Sequence, residues 1–222
     1  MKNLLYKELR LCVPVQTWIF VALNCLCIIP NYPAVATLLY PLSGFSVLFS
    51  VAQSDRDPLY TSLLPVHKKD VVKAKMLLVC FLQIVSLLIA IPFAMVKRFV
   101  LSPMMPEESH YADIGFNLTS LGAALLLYGF YNLLFFPLYY KNPESRRIAP
   151  FLIPPFATAL LGLVISAPFM AYEPAADFIN DWSSPLSWGI RIASFIVGLA
   201  AFFLLSLWAD KAAEKRFQKI DL

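Results

Sequence analysis

Charge is scarce in this sequence. Asp, Glu, Lys and Arg supply 14% of its 222 residues, against about 25% in a soluble globular chain. Hydrophobic residues make up 59%, and the mean hydropathy is +0.69. The shortage excludes a sizeable soluble domain and leaves a chain of membrane crossings, each needing about 20 apolar residues. Carboxylates are missing from the middle of every long apolar run, which argues against a proton or sodium relay. No Gly-Lys pair occurs, so the chain has no Walker A loop to cradle phosphates. Histidine appears only as His67 and His110, which cannot supply the His-Glu-x-x-His spacing of a metalloprotease. Glu107 and Glu108, close to His110, therefore read as a solvated acidic loop and not as a catalytic or metal site. No internal repeat is evident, which weakens a transporter made of inverted halves. Cys12, Cys25, Cys27 and Cys80 sit in or beside apolar runs, where a thiol behaves as a small hydrophobe. Cys25 and Cys27, two apart, point to different helix faces and make no metal or redox pair.

What is present is an all-α pattern of six apolar runs. Met1 to Cys12 reads as an amphipathic helix on the membrane surface, with Met1, Leu5, Leu9 and Cys12 on one side and Lys2 and Arg10 elsewhere. Pro14 marks a bend. Spans follow at about 15–29, 34–52, 76–96, 117–140, 148–170 and 188–208. Pro92 predicts a kink in the third, and Pro150, Pro154 and Pro155 predict an irregular first turn in the fifth. Between the last two spans, Pro174 can start a short helix, with Phe178 and Trp182 on an interfacial face. Asp210 to Leu222 forms a charged tail. The retained first span, with no small-residue cleavage pattern after it, argues against a signal peptide.

The longest polar island is 53–75, QSDRDPLYTSLLPVHKKDVVKAK. Asp57-Pro58 signals a helix start, Asp57 as cap and proline in the first turn. Leu59 with Leu63, and Tyr60 with Leu64, then form an apolar ridge that Pro65 stops. The run His67, Lys68, Lys69, Asp70, Lys73, Lys75 leads into the third span, and an ordinary basic loop would look the same. Of the 18 Lys and Arg, 15 fall in the N-terminus, this island, the 141–147 connector and the tail. Lys97, Arg98 and Arg191 fall on the other side. The positive-inside rule then places both termini in the cytoplasm of a multi-pass protein of the cell membrane. The net charge of +4 is a matter of topology, with no nucleic acid as partner. Arg191, near the start of the sixth span, is expected to snorkel outward or pair with Asp181 or Asp177. Gln83 and Asn132 are candidates for a substrate path, against the competing role, shared with Asn24, of hydrogen bonding between helices.

The island resembles the cytoplasmic signature of small six-span permeases of bacterial type-2 ATP-binding-cassette transporters. The resemblance rests on Ser62-Leu63-Leu64-Pro65, Lys68-Lys69-Asp70, Val71-Val72 and Lys75, together with the opening MKNLLYKELR and its Lys7-Glu8-Leu9 core. His67 stands where Ser or Thr is usual, a departure that could add pH sensitivity. The resemblance implies a transmembrane subunit that pairs with a second permease chain and binds ATPase subunits. Those partners would hold ATP and Mg, with no catalytic group or cofactor in this chain. Asp57 would cap a coupling helix whose Tyr60, Leu63 and Leu64 fill a groove on the ATPase, with Pro65 setting its angle. Lys68, Lys69 and Asp70 would meet charges at the rim, and Arg146 and Arg147 would lie in a second, smaller contact. The apolar lining suits an amphipathic or hydrophobic cargo such as a peptide, lipid or antibiotic, and exporters of phenol-soluble-modulin-like peptides are a neighbouring type. The alternatives are a non-transporting immunity or sensory membrane protein that docks a partner on the same loop, and an intramembrane enzyme using Glu107, Glu108 or His110.

Overall fold

The fold is taken from a computed structural model that describes residues 2–29, 34–63, 65–101, 117–143, 147–181 and 183–220. Among these residues there are helices and no strands, and five helices are long and apolar enough to cross a membrane. A sixth crossing is counted if the bent pair at the N-terminus is one span.

Helix α1 (Lys2–Leu11) and helix α2 (Val15–Ala22) meet at an 82° bend beside Pro14. The chain then tightens into a 3₁₀ segment, Leu23–Ile28. The predicted span 15–29 is one helical run lying after the expected bend and tightened in its second half, and it reaches only about 24 Å, short of a hydrocarbon core of about 30 Å. The cause is tertiary. Residues three apart share one face of a 3₁₀ helix, and from that face Asn24 Nδ2 donates to Ser86 O at 3.0 Å while Cys27 Sγ donates to Ala90 O at 3.4 Å.

Helix α3 (Ala34–Ser54) is tied to α2 by the Thr17 hydroxyl, which donates to Gly44 O at 3.0 Å. Helix α4 (Asp57–Ser62) follows, and then helix α5 (Lys68–Val96), which ends in a π-type turn over Lys97–Leu101. The third span's helix therefore starts at Lys68 and not at Met76: the basic run forms its first two turns, burying Val71, Val72, Ala74 and Lys75. At 29 residues, about 44 Å, it outlasts the bilayer core.

Helix α6 (Leu118–Tyr139) opens with a capping box in which Asn117 and Ser120 satisfy each other's backbone N–H groups. Helix α7 (Ala149–Ala171) is continuous from its first residue, so its start is not broken, although Pro154 and Pro155 inside it supply no N–H to the carbonyls four residues before them. Pro150 falls in the first turn, where no N–H is needed. Helix α8 (Glu173–Asn180) is short, and helix α9 (Pro185–Phe217) absorbs most of the expected tail. Its extension is held by Ala209, Ala213 and Phe217, buried at four-residue spacing, with the Phe217 ring 5.1 Å from that of Tyr140.

Helices α6 and α9 run in the same direction and form the body of the bundle. They touch backbone to backbone: a Cβ on Gly198 would lie 2.1 Å from Gly122 O. Small residues permit this approach, which replaces the hydrophobic drive missing in lipid. Toward the end that holds α4, an aromatic column fills the core. Phe49 sits 4.7 Å from both Phe135 and Tyr139.

Candidate functional site

The elements placed on one side by charge counting meet at one end of the bundle. Gln53 Nε2 donates to Pro143 O at 3.1 Å, Lys68 Nζ to Ile220 O at 2.6 Å, and Arg216 Nη1 to Pro137 O at 2.6 Å. Arg191 lies at the opposite end. It is 1% exposed, donates to Ile179 O at 2.7 Å and Asp181 O at 2.5 Å, and stacks on Trp188. Its anchor at Asp181 is thus the backbone carbonyl.

At the first end, α4 projects from the bundle. It is joined to α3 by Asp55 and Arg56, the latter in the left-handed region at φ 52°. Asp57 and Thr61, four apart, share its inward face, where Thr61 Oγ1 donates to Asp57 Oδ1 at 3.1 Å. Two lysines from other helices close on that face. Lys7 Nζ of α1 lies 2.6 Å from Asp57 Oδ1 and 2.6 Å from Thr61 Oγ1. Lys75 Nζ of α5 lies 3.0 Å from Asp57 Oδ2 and also ion-pairs with Glu8 of α1. Lys7 and Glu8 approach to 3.4 Å. Two cations and two anions thus form one neutral cluster, in which the Glu8 and Lys75 side chains are only 1% and 3% exposed.

Burial alone would raise the pKa of Asp57, but the charges of Lys75 and Lys7 outweigh it and hold the carboxyl below its ordinary value. The Cys12 thiol, 3.8 Å from Asp57 Oδ1, is pushed up to about 11 by burial. Glu8, Cys12 and Asp57 bring their ligand atoms within 4.8 Å of one another. Both carboxylates are already neutralised by lysine and the thiol keeps its proton, so this set does not suit a metal ion.

The outward side of α4 is different. Tyr60 is 64% and Leu63 74% exposed. Beside them an open cleft of about 490 Å³ runs between α1, the bend, α3 and α4, lined by Leu11, Pro14, Val51 and Tyr60. Pro65, Lys69 and Arg147 are exposed, Asp70 lies half-buried in the first turn of α5, and His67 takes the N-cap position of that helix. Leu64 and Arg146 lie outside the described residues, as do Glu107, Glu108, His110 and Trp182.

The structure places Asp57 and Tyr60 on α4 and Leu63 in the turn that follows it, and gives Asp57 a role that capping did not include. Gln83 and Asn132 lie elsewhere. They are fully buried in mid-bundle and exchange two hydrogen bonds of 2.9 and 3.0 Å, and Asn132 also donates to Ser206 Oγ at 3.0 Å. That links α5, α6 and α9 within one chain. Lys7-Glu8 and Lys75 belong to the sequence signature, but their pairing with Asp57 appears only in the folded chain. The available signal was a Lys-Glu step in an otherwise apolar helix face and a lysine set flush against an apolar run.

The family model described as "ABC-2 family transporter protein" matches residues 3–209. The chain belongs to the ABC-2 transporter family. An ABC-2 permease is a multi-pass transmembrane subunit, and its family implies an ABC-type ATPase partner. No curated protein and no solved structure matches this permease.

Proposed function

We propose that this permease is the membrane half of an ATP-driven exporter and that α4 is its coupling helix. One observation carries the reading: α4 and the turn after it present Tyr60 and Leu63 to solvent at the basic end while the inward face of the helix is fixed by Lys7 and Lys75. Exposed apolar groups on a held helix suit a protein groove, where one or two buried anchors supply most of the binding energy. Lys69, Asp70 and Arg147 would rim this surface, and the connector after α6, tied to α3 where Gln53 donates to Pro143 O, would form the second contact. The partner ATPase would bind ATP and Mg, and its cycle would move α4. Both termini would lie in the cytoplasm, with a second permease chain completing the path. A path at the interface of the two permease chains, lined by Phe, Leu and Met with few charges, would suit an amphipathic or hydrophobic cargo, whether peptide, lipid or antibiotic.

The test is retention of the ATPase subunit by the tagged permease purified from membranes. Tyr60→Asp/Leu63→Asp should lower retention at least tenfold at equal permease level, since each change places a carboxylate where an apolar anchor is expected. Equal retention would remove α4 from the contact. Retention without cargo-dependent ATP turnover would favour a non-transporting docking protein.

A further inference from the structure

We propose that the Lys7–Glu8–Asp57–Lys75 cluster latches α4 to α1 and to the first turns of α5, so that these three elements move as one lever against the α6–α9 body. Lys7 and Lys75 are then positioning residues for coupling. The functional meaning of the latch rests on α4 being the coupling helix; its mechanical content does not.

The cluster joins parts of the chain far apart in sequence. Lys7 and Asp57 are 50 residues apart and held at 2.6 Å, while Lys75 touches both Asp57 of α4 and Glu8 of α1. Stability alone does not call for such a device. Buried ion pairs can often be replaced by apolar residues at little or no loss, and their best-attested use is to fix register. Apolar side chains would fill the site equally well, since the core beside it is built of Val71, Val72 and Met76. What the charges add is an all-or-none tie. If α4 slid by one helical turn, about 5 Å, Asp57 would leave Lys75, which is almost without exposure, and upset the balance with Glu8. Unpaired buried charge is costly, so relative motion of the three elements is opposed far more than their motion together. The outward residues Tyr60 and Leu63 take no part in the cluster and are left for a partner. Tyr6 and Leu11, exposed on α1 at 58% and 76%, give the unit an apolar foot for the bilayer surface.

The test uses the full-length permease in lipid nanodiscs, with its native cysteines replaced and nitroxide labels read by double electron–electron resonance. One label pair, Leu11→Cys with Leu63→Cys, reports α1 against α4. The other, Leu63→Cys with Trp208→Cys, reports α4 against the body; all three positions are exposed. Without any partner, the first pair should give a narrow distance distribution that at least doubles in width in Lys7→Met and in Lys75→Met. Lys211→Met, an exposed lysine outside the cluster, should leave it unchanged. An unchanged width in both cluster variants overturns the latch. If Lys75→Met fails to reach the membrane, Lys7→Met decides alone, because the Lys7 side chain is 27% exposed and tolerates neutralisation better. In complex with the ATPase the label on Leu63, a proposed anchor, is moved to the exposed Val66→Cys just beyond α4, and Mg-ATP should then shift its distance to Trp208→Cys and leave its distance to Leu11→Cys in place. Equal shifts in both pairs also overturn the proposal. If no ATPase is retained, the coupling reading fails while the partner-free measurement still judges the latch.

Discussion

Asp57 shows how a single carboxylate can serve an element it does not cap. It faces Lys7 and Glu8 from α1, Lys75 from α5 and the Cys12 thiol, with Thr61 on its own helix. Replacing it with Asn leaves two lysines against one glutamate, and stranding a buried charge costs about 3–5 kcal/mol; partial exposure of Lys7 puts the loss at the lower end. The pH dependence follows from the depressed pKa. A carboxyl whose folded pKa lies below its unfolded value of about 3.9 contributes stability that is complete above that value and lost as pH falls through the folded one. Melting of the detergent-solubilised permease should therefore keep the Asp57 contribution from neutral pH down to about 4 and lose it below. Asp57→Asn should lower the melting temperature at pH 7 and flatten the acid limb. An acid limb of unchanged size in the variant would show that Asp57 is not its source. None of this was legible from Asp57-Pro58 alone. The dipeptide announces a helix start through local hydrogen bonding, whereas Lys7 and Lys75 reach the site only after α1 and α5 are packed.

At the scale of elements, apolar length reads the helical, multi-span character well, because backbone N–H and C=O groups in lipid must be satisfied within the helix. Helix ends are read less well, since hydropathy stops where the membrane does and the helix does not. Helix α5 begins eight residues before its apolar run, at Lys68, and α9 continues to Phe217 on the burial of Ala209 and Ala213. The bend before the first span is announced by Pro14, but the 3₁₀ tightening after it has no local signal, because Asn24 and Cys27 shape it through bonds to α5. Glycine separates packing from propensity in α9. Gly189 has nothing within 4 Å of an added Cβ, while Gly198 would meet the Gly122 carbonyl at 2.1 Å. Gly189→Ala should be neutral or stabilising by roughly 0.5–1 kcal/mol through helix propensity. Gly198→Ala should force α6 and α9 apart at a cost of about 1–3 kcal/mol or more. Thermal melting of the two variants side by side checks this, and equal melting temperatures would show that the glycine contact does not set the α6–α9 distance.

For the molecule as a whole, the side on which α4 lies decides whether it can meet an ATPase. The bundle is asymmetric: α1, α4, the start of α5, the 141–143 connector and the end of α9 gather at one end, with Lys97, Arg98 and Arg191 toward the other. Lysine and arginine are retained on the cytoplasmic side during insertion, so an imbalance of 15 to 3 across the sequence argues for one orientation. Two exposed positions read it out. Leu63 on the connector after α4 is 74% exposed, and Phe99 in the π-type turn is 67% exposed. In intact cells a membrane-impermeant maleimide should label Phe99→Cys within minutes and leave Leu63→Cys unlabelled until the membrane is permeabilised. The native thiols are half-buried or buried and should give a low background. The reverse pattern would put α4 outside the cell, beyond reach of any ATP-binding subunit. The coupling reading would then fall however well the latch holds, because the lever would have nothing on its own side of the membrane to move it.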